Sequence, residues 1–156
     1  SGAIMELLLA RYGNGRLTPA VDSADFPYYL QWMHFAEGSL AARIIADYRV
    51  ERTKQSLGHT EKDPRSRLVN GVDVVVFAED FLSRNNYFGG KEFSAADIIM
   101  LFPLNIAESF GITSLEPYPH ILAWREKIME RPAYKRMIKT ARPDGIPGAP
   151  RSIKKS

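Results

Sequence analysis

Two residues whose side chains could take part in hydrogen-bond or proton chemistry, Ser94 and Asp97, lie three positions apart, directly before an apolar run. At this spacing they can form a capping box. The Ser94 hydroxyl can accept from the backbone N–H of Asp97, and the Asp97 carboxylate can accept from the Ser94 N–H. Phe93 and Ile98 occupy the positions of a hydrophobic staple around the box. Because apolar residues crowd both sides, we predict that this cap is buried.

Other candidates for chemistry are few. The chain has no cysteine, which excludes a disulfide framework, a thiolate metal site and a protein thiol nucleophile. His59 stands alone in a polar stretch, and we expect neither it nor any other residue to bind a metal. We predict that an aromatic cluster forms core and interdomain contacts rather than a cofactor pocket. Its members are Tyr28, Tyr29, Trp32, His34 and Phe35.

Hydrophobic periodicity predicts helices along the whole chain and gives no hairpin signal. The predicted helices cover residues 3–12, 28–48, 68–82, 97–110, 119–131 and 133–140. The polar stretch 49–67 is interpreted as frayed helix and loop. Pro103 should kink the helix that the box begins, and Gly111 should end it. We therefore predict an all-α fold, a bundle of about six helices around the capped central helix.

Composition limits the classes of partner. A chain of 156 residues with 45% apolar and 25% charged residues is typical of one soluble domain. The net charge of +3 falls on residues 141–156, because the other 140 residues hold 17 basic and 17 acidic groups. No apolar run approaches the ~20 residues of a membrane span, and no signal peptide is present. We therefore expect a cytoplasmic protein with no nucleic-acid and no membrane partner.

Three stretches occur in an order typical of one family. They are Phe-Ser-Ala-Ala-Asp at 93–97, Tyr-Pro-His-Ile at 118–121 with Trp124 and Arg-Pro-Ala-Tyr at 131–134, and Ser-Gly-Ala-Ile at 1–4 with Tyr12-Gly13. Over residues 1–140 this pattern resembles the glutathione transferase family, specifically its helical C-terminal domain. Tyr29, Trp32 and residues 35–40 resemble the first bundle helix of bacterial and fungal members.

The resemblance implies a division of the chain. Residues 1–13 would be the last helix of a thioredoxin-like N-terminal domain, 14–26 a linker, 27–140 the helical C-terminal domain, and 141–156 a Pro/Gly/basic tail. The family's catalytic Ser, Tyr or Cys belongs to the part of the thioredoxin-like domain that is not in this chain. We therefore expect the chain alone to be inactive.

For the intact protein, the resemblance implies a homodimeric detoxification enzyme. It would add the thiolate of its co-substrate glutathione to hydrophobic electrophiles and use no metal. Ser1 matches the family's serine that holds the γ-glutamyl carboxylate; the alternative is a simple helix cap. The implied hydrophobic-substrate residues are Ala41, Ile45, Tyr48, Asn105 and Glu108. The alternatives for these five are close helix packing and plain surface positions.

A competing hypothesis comes from a different class of function. Similar helical domains are appended to elongation-factor and tRNA-synthetase subunits, where they hold complexes together without catalysis. The chain would then be a non-catalytic protein–protein interaction module. The electrically neutral body and the absence of a fused basic domain favour the enzyme.

Overall fold

The computed structural model of the protein describes residues 1–58 and 71–141. In these ranges the helices are α1 (Gly2–Leu8), α2 (Phe26–Phe35), α3 (Ala42–Leu57), α4 (Gly71–Leu82), α5 (Ala95–Ser109), α6 (Pro119–Glu130) and α7 (Pro132–Ala141). Helix α1 continues as the π-helical segment Leu9–Gly13, and the π-helical turn Ala36–Ala41 joins α2 to α3 without a break. The described residues thus form six continuous helices and no β-strand, which confirms the all-α prediction.

Helix α3 is longer than predicted. The interpretation of residues 49–57 as frayed helix and loop is wrong, while residues 59–67 lie outside the described part of the chain, as does the predicted helix start at 68. Residues 49–57 are polar but contain good helix formers, and Lys54 pairs with Glu51 at 3.3 Å. Polarity alone does not end a helix. The helix ends at Gly58, which adopts the left-handed conformation with φ of 66°.

The core is organised around the first turn of α5, where the predicted capping box is present and buried. Asp97 is 0% exposed, and its carboxylate accepts four hydrogen bonds. Oδ1 accepts from the Phe88 N–H and from the Trp124 indole N–H, both at 2.8 Å. Oδ2 accepts from the Ser94 N–H at 2.8 Å and from the Ser94 hydroxyl at 3.2 Å. The box therefore joins the loop before α5 to α6, as well as capping its own helix.

The Gly89-Gly90 turn is what lets the loop close over the box. A Cβ atom on Gly89 would lie 2.2 Å from the Ser94 hydroxyl oxygen. Gly90 has φ of 99°, and a Cβ atom there would lie 2.5 Å from Asp25 Oδ1. Because any side chain would displace the serine or the aspartate, this turn requires glycine at both positions.

The residues flanking the box attach it to other elements. The Phe93 ring contacts the Tyr87 ring edge to face at 6.0 Å, and the Arg131 guanidinium lies 3.6 Å from the Phe93 ring centroid. Ile98, the predicted staple partner of Phe93, is exposed. Phe93 therefore connects the start of α5 to the corner between α6 and α7, and the staple itself stays a prediction.

The aromatic cluster belongs to the core at Tyr29 and Trp32, as predicted, while Tyr28 is exposed. Trp32 is fully buried among four phenylalanine rings at centroid distances of 4.6–5.4 Å; they are Phe35, Phe77, Phe81 and Phe88. Its indole N–H has no hydrogen-bond partner in the described part of the chain. The two tryptophans thus differ, since only Trp124 donates to the Asp97 carboxylate.

Replacing each tryptophan by phenylalanine separates hydrogen bonding from packing. Trp124→Phe removes a donor from a buried charge, so we expect it to lower the free energy of unfolding by about 1.5–3 kcal/mol more than Trp32→Phe. Both substitutions leave a similar cavity, so Trp32→Phe is the matched control. Urea unfolding at neutral pH followed by circular dichroism measures both. Equal losses would contradict the hydrogen-bond network around Asp97.

A second pair of variants tests the glycine turn. Gly89→Ala should lower the free energy of unfolding by about 1–3 kcal/mol, because the new methyl group overlaps Ser94. Gly38→Ala places its Cβ atom in open space on a helical turn, so it should be neutral or stabilising by up to about 1 kcal/mol. Thermal melts of the two variants provide the comparison. A harmless Gly89→Ala substitution would mean that the loop over the box is not closely packed.

Candidate functional site

The start of α1 meets the π-helical turn through one carboxylate. Glu37 Oε2 accepts from the Gly2 N–H at 2.9 Å, and Oε1 accepts from the Ser1 ammonium at 2.8 Å and from the Ser1 hydroxyl. A Cβ atom on Gly2 would lie 3.0 Å from Glu37 Oε2 and 3.9 Å from Ile99 Cδ1 on α5. The first residues of α1 therefore lie between the π-helical turn and α5, and even an alanine at position 2 would require the Glu37 side chain to shift slightly.

The π-helical turn explains how Glu37 reaches α1 while its neighbours stay in the core. Trp32, Ala36, Leu40 and Ile44 are all fully buried, at steps of four residues. In a regular α-helix three such steps would rotate the side chain by about 120° away from the core. The wider π turn absorbs part of that rotation, and π turns of this kind recur at functional sites.

Hydrogen bonds from the first two residues lower the pKa of the Glu37 carboxyl. Hydrogen bonds from the Ser1 ammonium, the Ser1 hydroxyl and the Gly2 N–H hold the pKa of Glu37 at about 2. The Glu37 side chain is 46% exposed, so the contact is strongly screened by solvent. A hydroxyl and a free N–H at the start of a helix are suited to bind a carboxylate. In this structure the carboxylate that they bind is the chain's own.

Three of the predicted hydrophobic-substrate residues follow Glu37 along the same continuous helix. Ala41, Ile45 and Tyr48 are each half-buried. The Tyr48 ring stacks on Phe110 at 4.2 Å, at the far end of α5. With a rise of 1.5 Å per residue, Tyr48 lies about 16 Å along the helix from Glu37. Ala41, Ile45 and Tyr48 therefore form a stripe along the helix, which runs from the contact between Glu37 and α1 to the end of α5.

The other two predicted residues are on α5. Asn105 is half-buried, and Glu108 Oε2 accepts from Arg125 Nη1 of α6 at 2.9 Å. Glu108 precedes Phe110 by two positions, which are about 200° apart around a helix. The structure therefore directs Glu108 toward α6, away from the Tyr48 stripe.

Sequence reasoning did not single out Glu37 or Phe110. Glu37 is the one acidic residue between Asp25 and Asp47, within a helix that is apolar on most sides. A single carboxylate in such a stretch was a signal that could have been used. Phe110 was assigned only as a helix end, and its contact with Tyr48 depends on how α3 and α5 cross, which spacing along the chain does not give.

Two clefts lie elsewhere in the described part of the fold. The larger, of about 560 Å³, is lined by residues from the start of α2, the end of α4 and α6, including Asp25, Tyr28, Arg84 and Lys127. The smaller, of about 330 Å³, lies between residues 17–25 and the loop before α5. None of the predicted glutathione-binding or substrate-binding residues lines either cleft, whereas Ser94 of the capping box lines the smaller one.

Residues 1–58 and 71–141 contain no group of three or more His, Asp or Glu side chains placed to hold a metal ion. No helix within those ranges combines the length and the apolar character that crossing a bilayer requires.

Comparisons with known proteins agree with this fold. Residues 67–132 match the family model of the glutathione S-transferase C-terminal domain. Glutathione S-transferase 3 of Schizosaccharomyces pombe is 30% identical over 143 residues, which cover 85% of this chain and 59% of that relative. These matches support membership of the glutathione S-transferase family. Glutathione S-transferase 1 of Saccharomyces cerevisiae is 26% identical and is covered over 62% of its length, so the chain spans about three fifths of both yeast relatives.

Solved structures of glutathione S-transferases share the architecture. One from Actinobacillus pleuropneumoniae superposes with a TM-score of 0.75 at 22% identity, over 92% of this chain and 63% of that protein. The transferase URE2P6 from Phanerochaete chrysosporium, solved with oxidised glutathione, gives a TM-score of 0.65 at 24% identity, over 90% and 64%. At these identities the likeness shows the fold.

The Glu37 contact makes a prediction about pH. Because the pKa of Glu37 is lowered, the contact should be fully present above its ordinary value of 4.5 and lost as the pH falls through about 2. Carboxyl carbon chemical shifts in a pH titration by NMR measure this midpoint. Acetylating the Ser1 amine removes the largest cause and should raise the midpoint toward 4.5. A midpoint near 4.5 in the unmodified chain would contradict the contact.

Proposed function

We propose that the intact protein is a glutathione transferase that adds the glutathione thiolate to apolar electrophiles. Membership of the family supports this, together with relatives that carry the transferase name. In this proposal residues 1–13 complete a thioredoxin-like domain, 14–26 are a linker, 27–140 form the substrate and dimer domain, and 141–156 are a tail. The observation that carries it is the seating of α1 on Glu37, beside the Ala41–Tyr48 stripe.

Ser1 is proposed to hold the γ-glutamyl carboxylate of glutathione. The Ser1 hydroxyl and the Gly2 N–H are donors of the right type, and they already hold a carboxylate, that of Glu37. A glutathione carboxylate would take over these donors. The γ-glutamyl group also carries an ammonium, with which the displaced Glu37 would pair. After this exchange of carboxylates, both the glutathione carboxylate and the Glu37 carboxylate would still have a partner.

Glutathione is the co-substrate in this proposal, and the chemistry requires its thiol to ionise. A hydroxyl or a positive group beside the sulfur favours the thiolate. The buried Ser94 hydroxyl is already bound to Asp97 and Ala96. The Ser1 hydroxyl lies at the carboxylate end of the proposed ligand, far from its sulfur. We therefore place the thiol-activating residue in the thioredoxin-like part, so that the chain alone does not conjugate.

The apolar electrophile is proposed to lie along the stripe of Ala41, Ile45 and Tyr48, with Asn105 nearby on α5 and Glu108 in a supporting position on the same helix. Ala41 leaves space next to the π-helical turn, and the stacked rings of Tyr48 and Phe110 close the far end. Glu108 is engaged with Arg125, so its part would be to hold α5 against α6 rather than to touch the substrate. Close helix packing remains the competing explanation for Ala41.

Exposed apolar faces support a homodimer and a covering domain. Tyr28, Val76 and Phe77 are exposed on neighbouring helices, with Phe77 45% exposed although its ring also contacts Trp32. We propose that a second copy covers this face. A separate face on α1 would be covered by the rest of the thioredoxin-like domain; its exposed residues are Ile4, Leu7, Leu8 and Tyr12. A detoxification role would place the enzyme in the cytoplasm, where glutathione is abundant.

The second candidate function is a non-catalytic interaction module. The observation that favours it is Glu37, because its carboxylate occupies the donors that glutathione would need. If that contact is permanent, α1 serves only to stiffen the bundle, and the exposed faces of α2 and α4 are sites for other proteins. The two candidates differ in whether glutathione can displace Glu37.

A chimera distinguishes the candidates. We would join the thioredoxin-like part of the S. pombe relative upstream of Ser1 and measure conjugation of glutathione to 1-chloro-2,4-dinitrobenzene. The chimera should conjugate and the chain alone should not. In the chimera, Ser1→Ala should weaken glutathione binding about tenfold by titration calorimetry, because a hydrogen bond to a charged group is lost.

Ser39→Ala, on the exposed side of the π-helical turn, is the matched control and should leave the affinity unchanged. A folded chimera that neither binds nor conjugates glutathione would select the interaction module. Conjugation by the chain alone would place the thiol-activating residue within it.

A further inference from the structure

Charge is unevenly distributed along the chain. Residues 1–130 hold 13 basic and 17 acidic side chains, a net charge of −4. Residues 131–156 hold eight basic side chains and a single acidic one, Asp144, a net charge of +7. The overall charge of +3 therefore hides a strongly cationic segment. That segment begins at the turn into α7, ten residues earlier than the tail considered in the sequence analysis.

Helix α7 presents its share of these cations to solvent. Lys135, Arg136 and Lys139 are exposed, while Tyr134 and Ile138 are half-buried against the bundle. Lys135 and Lys139 are four positions apart and thus on one side of the helix. Beside them Met137 is 47% exposed. The helix therefore has an apolar inner face, a cationic outer face and an exposed aliphatic side chain at the border.

The cations on α7 have no carboxylate counterion within the described residues. Within the described residues, four Arg or Lys side chains pair with carboxylates three to 17 positions away: Arg43–Asp47, Lys54–Glu51, Arg84–Asp80 and Arg125–Glu108. Lys135, Arg136 and Lys139 make no ion pair in that part of the chain. Helix α7 itself contains no acidic residue. Their charge is therefore available to a partner.

We propose that α7, together with the basic residues that follow it, docks on an anionic membrane surface. Clusters of four to eight Lys and Arg residues on an amphipathic helix are suited to phosphatidylserine-rich bilayers, and an exposed aliphatic side chain beside them can enter the headgroup region. This is contact with the surface and not a span. It revises the expectation of no membrane partner, which rested on the absence of a membrane-spanning run and of a signal peptide.

The exposed side chains of α7 favour a lipid surface over a nucleic acid. Single strands are held by aromatic side chains on which bases stack. The one aromatic residue of α7, Tyr134, is half-buried and packs on the core. The exposed uncharged side chains of α7 are small or aliphatic, and the helix lies on the outside of the bundle. Screening by salt should weaken the contact, as for any attraction between exposed charges.

The test is cosedimentation of the full chain with phosphatidylcholine vesicles prepared with and without phosphatidylserine. The chain should bind only the anionic vesicles, and added salt should release it. Lys135→Glu/Arg136→Glu/Lys139→Glu should weaken binding by at least about tenfold. The matched control is Arg11→Glu/Arg49→Glu/Lys91→Glu, which changes the net charge equally at exposed positions on three separate elements. It should weaken binding by less than about threefold.

Further measurements keep the result interpretable. Circular dichroism melts check that both triple variants fold. If the glutamate variant of α7 does not fold, Lys135→Gln/Arg136→Gln/Lys139→Gln takes its place. A chain ending at Ala141 should keep the preference for anionic vesicles with lower affinity. Equal losses in the two triple variants, equal binding to both vesicle types, or no binding by the chain ending at Ala141 would each overturn the proposal. Tight binding of a polyuridine RNA without vesicle binding would overturn it in favour of a nucleic acid.

Discussion

The fold depends on a buried negative charge that three separate segments must satisfy. Burial raises the pKa of Asp97, while the N–H groups of Ser94 and Phe88, the Trp124 indole and the Ser94 hydroxyl oppose that rise by hydrogen bonding to the ionised form. Removing any segment would leave a buried charge incompletely compensated, which is among the largest destabilising effects in proteins. The carboxylate therefore fixes where the loop over the box, the start of α5 and the middle of α6 lie relative to one another.

A second carboxylate uses the same kind of hydrogen bond in the opposite environment. Glu37 also accepts from a backbone N–H and a serine hydroxyl at a helix start, but it is half exposed, so its contacts can be exchanged for water or a ligand at little cost. Because Asp97 is buried, water cannot replace its hydrogen-bond partners, and this carboxylate holds the fold together. Because Glu37 is half exposed, water or a ligand can replace its partners.

The bundle leaves distinct surfaces for distinct partners. The outer side of α1 and the faces of α2 and α4 are apolar, whereas α7 is cationic. Association through an apolar face is driven by removing it from water and depends little on salt, while a cationic surface depends strongly on it. A bundle with these surfaces can associate with one partner through an apolar side and with a charged surface through another, because the two attractions do not compete.

The sequence by itself determined what is local. The capping box, the glycine and proline boundaries, six helices and the burial of Trp32 all follow from spacing over a few residues, and the family likeness follows from those same motifs. Only the tertiary structure decided which distant groups meet. Glu37 contacts Gly2 across 35 positions, Tyr48 meets Phe110, and Glu108 faces Arg125 rather than the substrate stripe. The physical reason is that hydrogen-bond and packing preferences along a helix repeat with its turn, whereas contacts between helices depend on crossing geometry and on an inserted π turn, neither of which leaves a periodic signal.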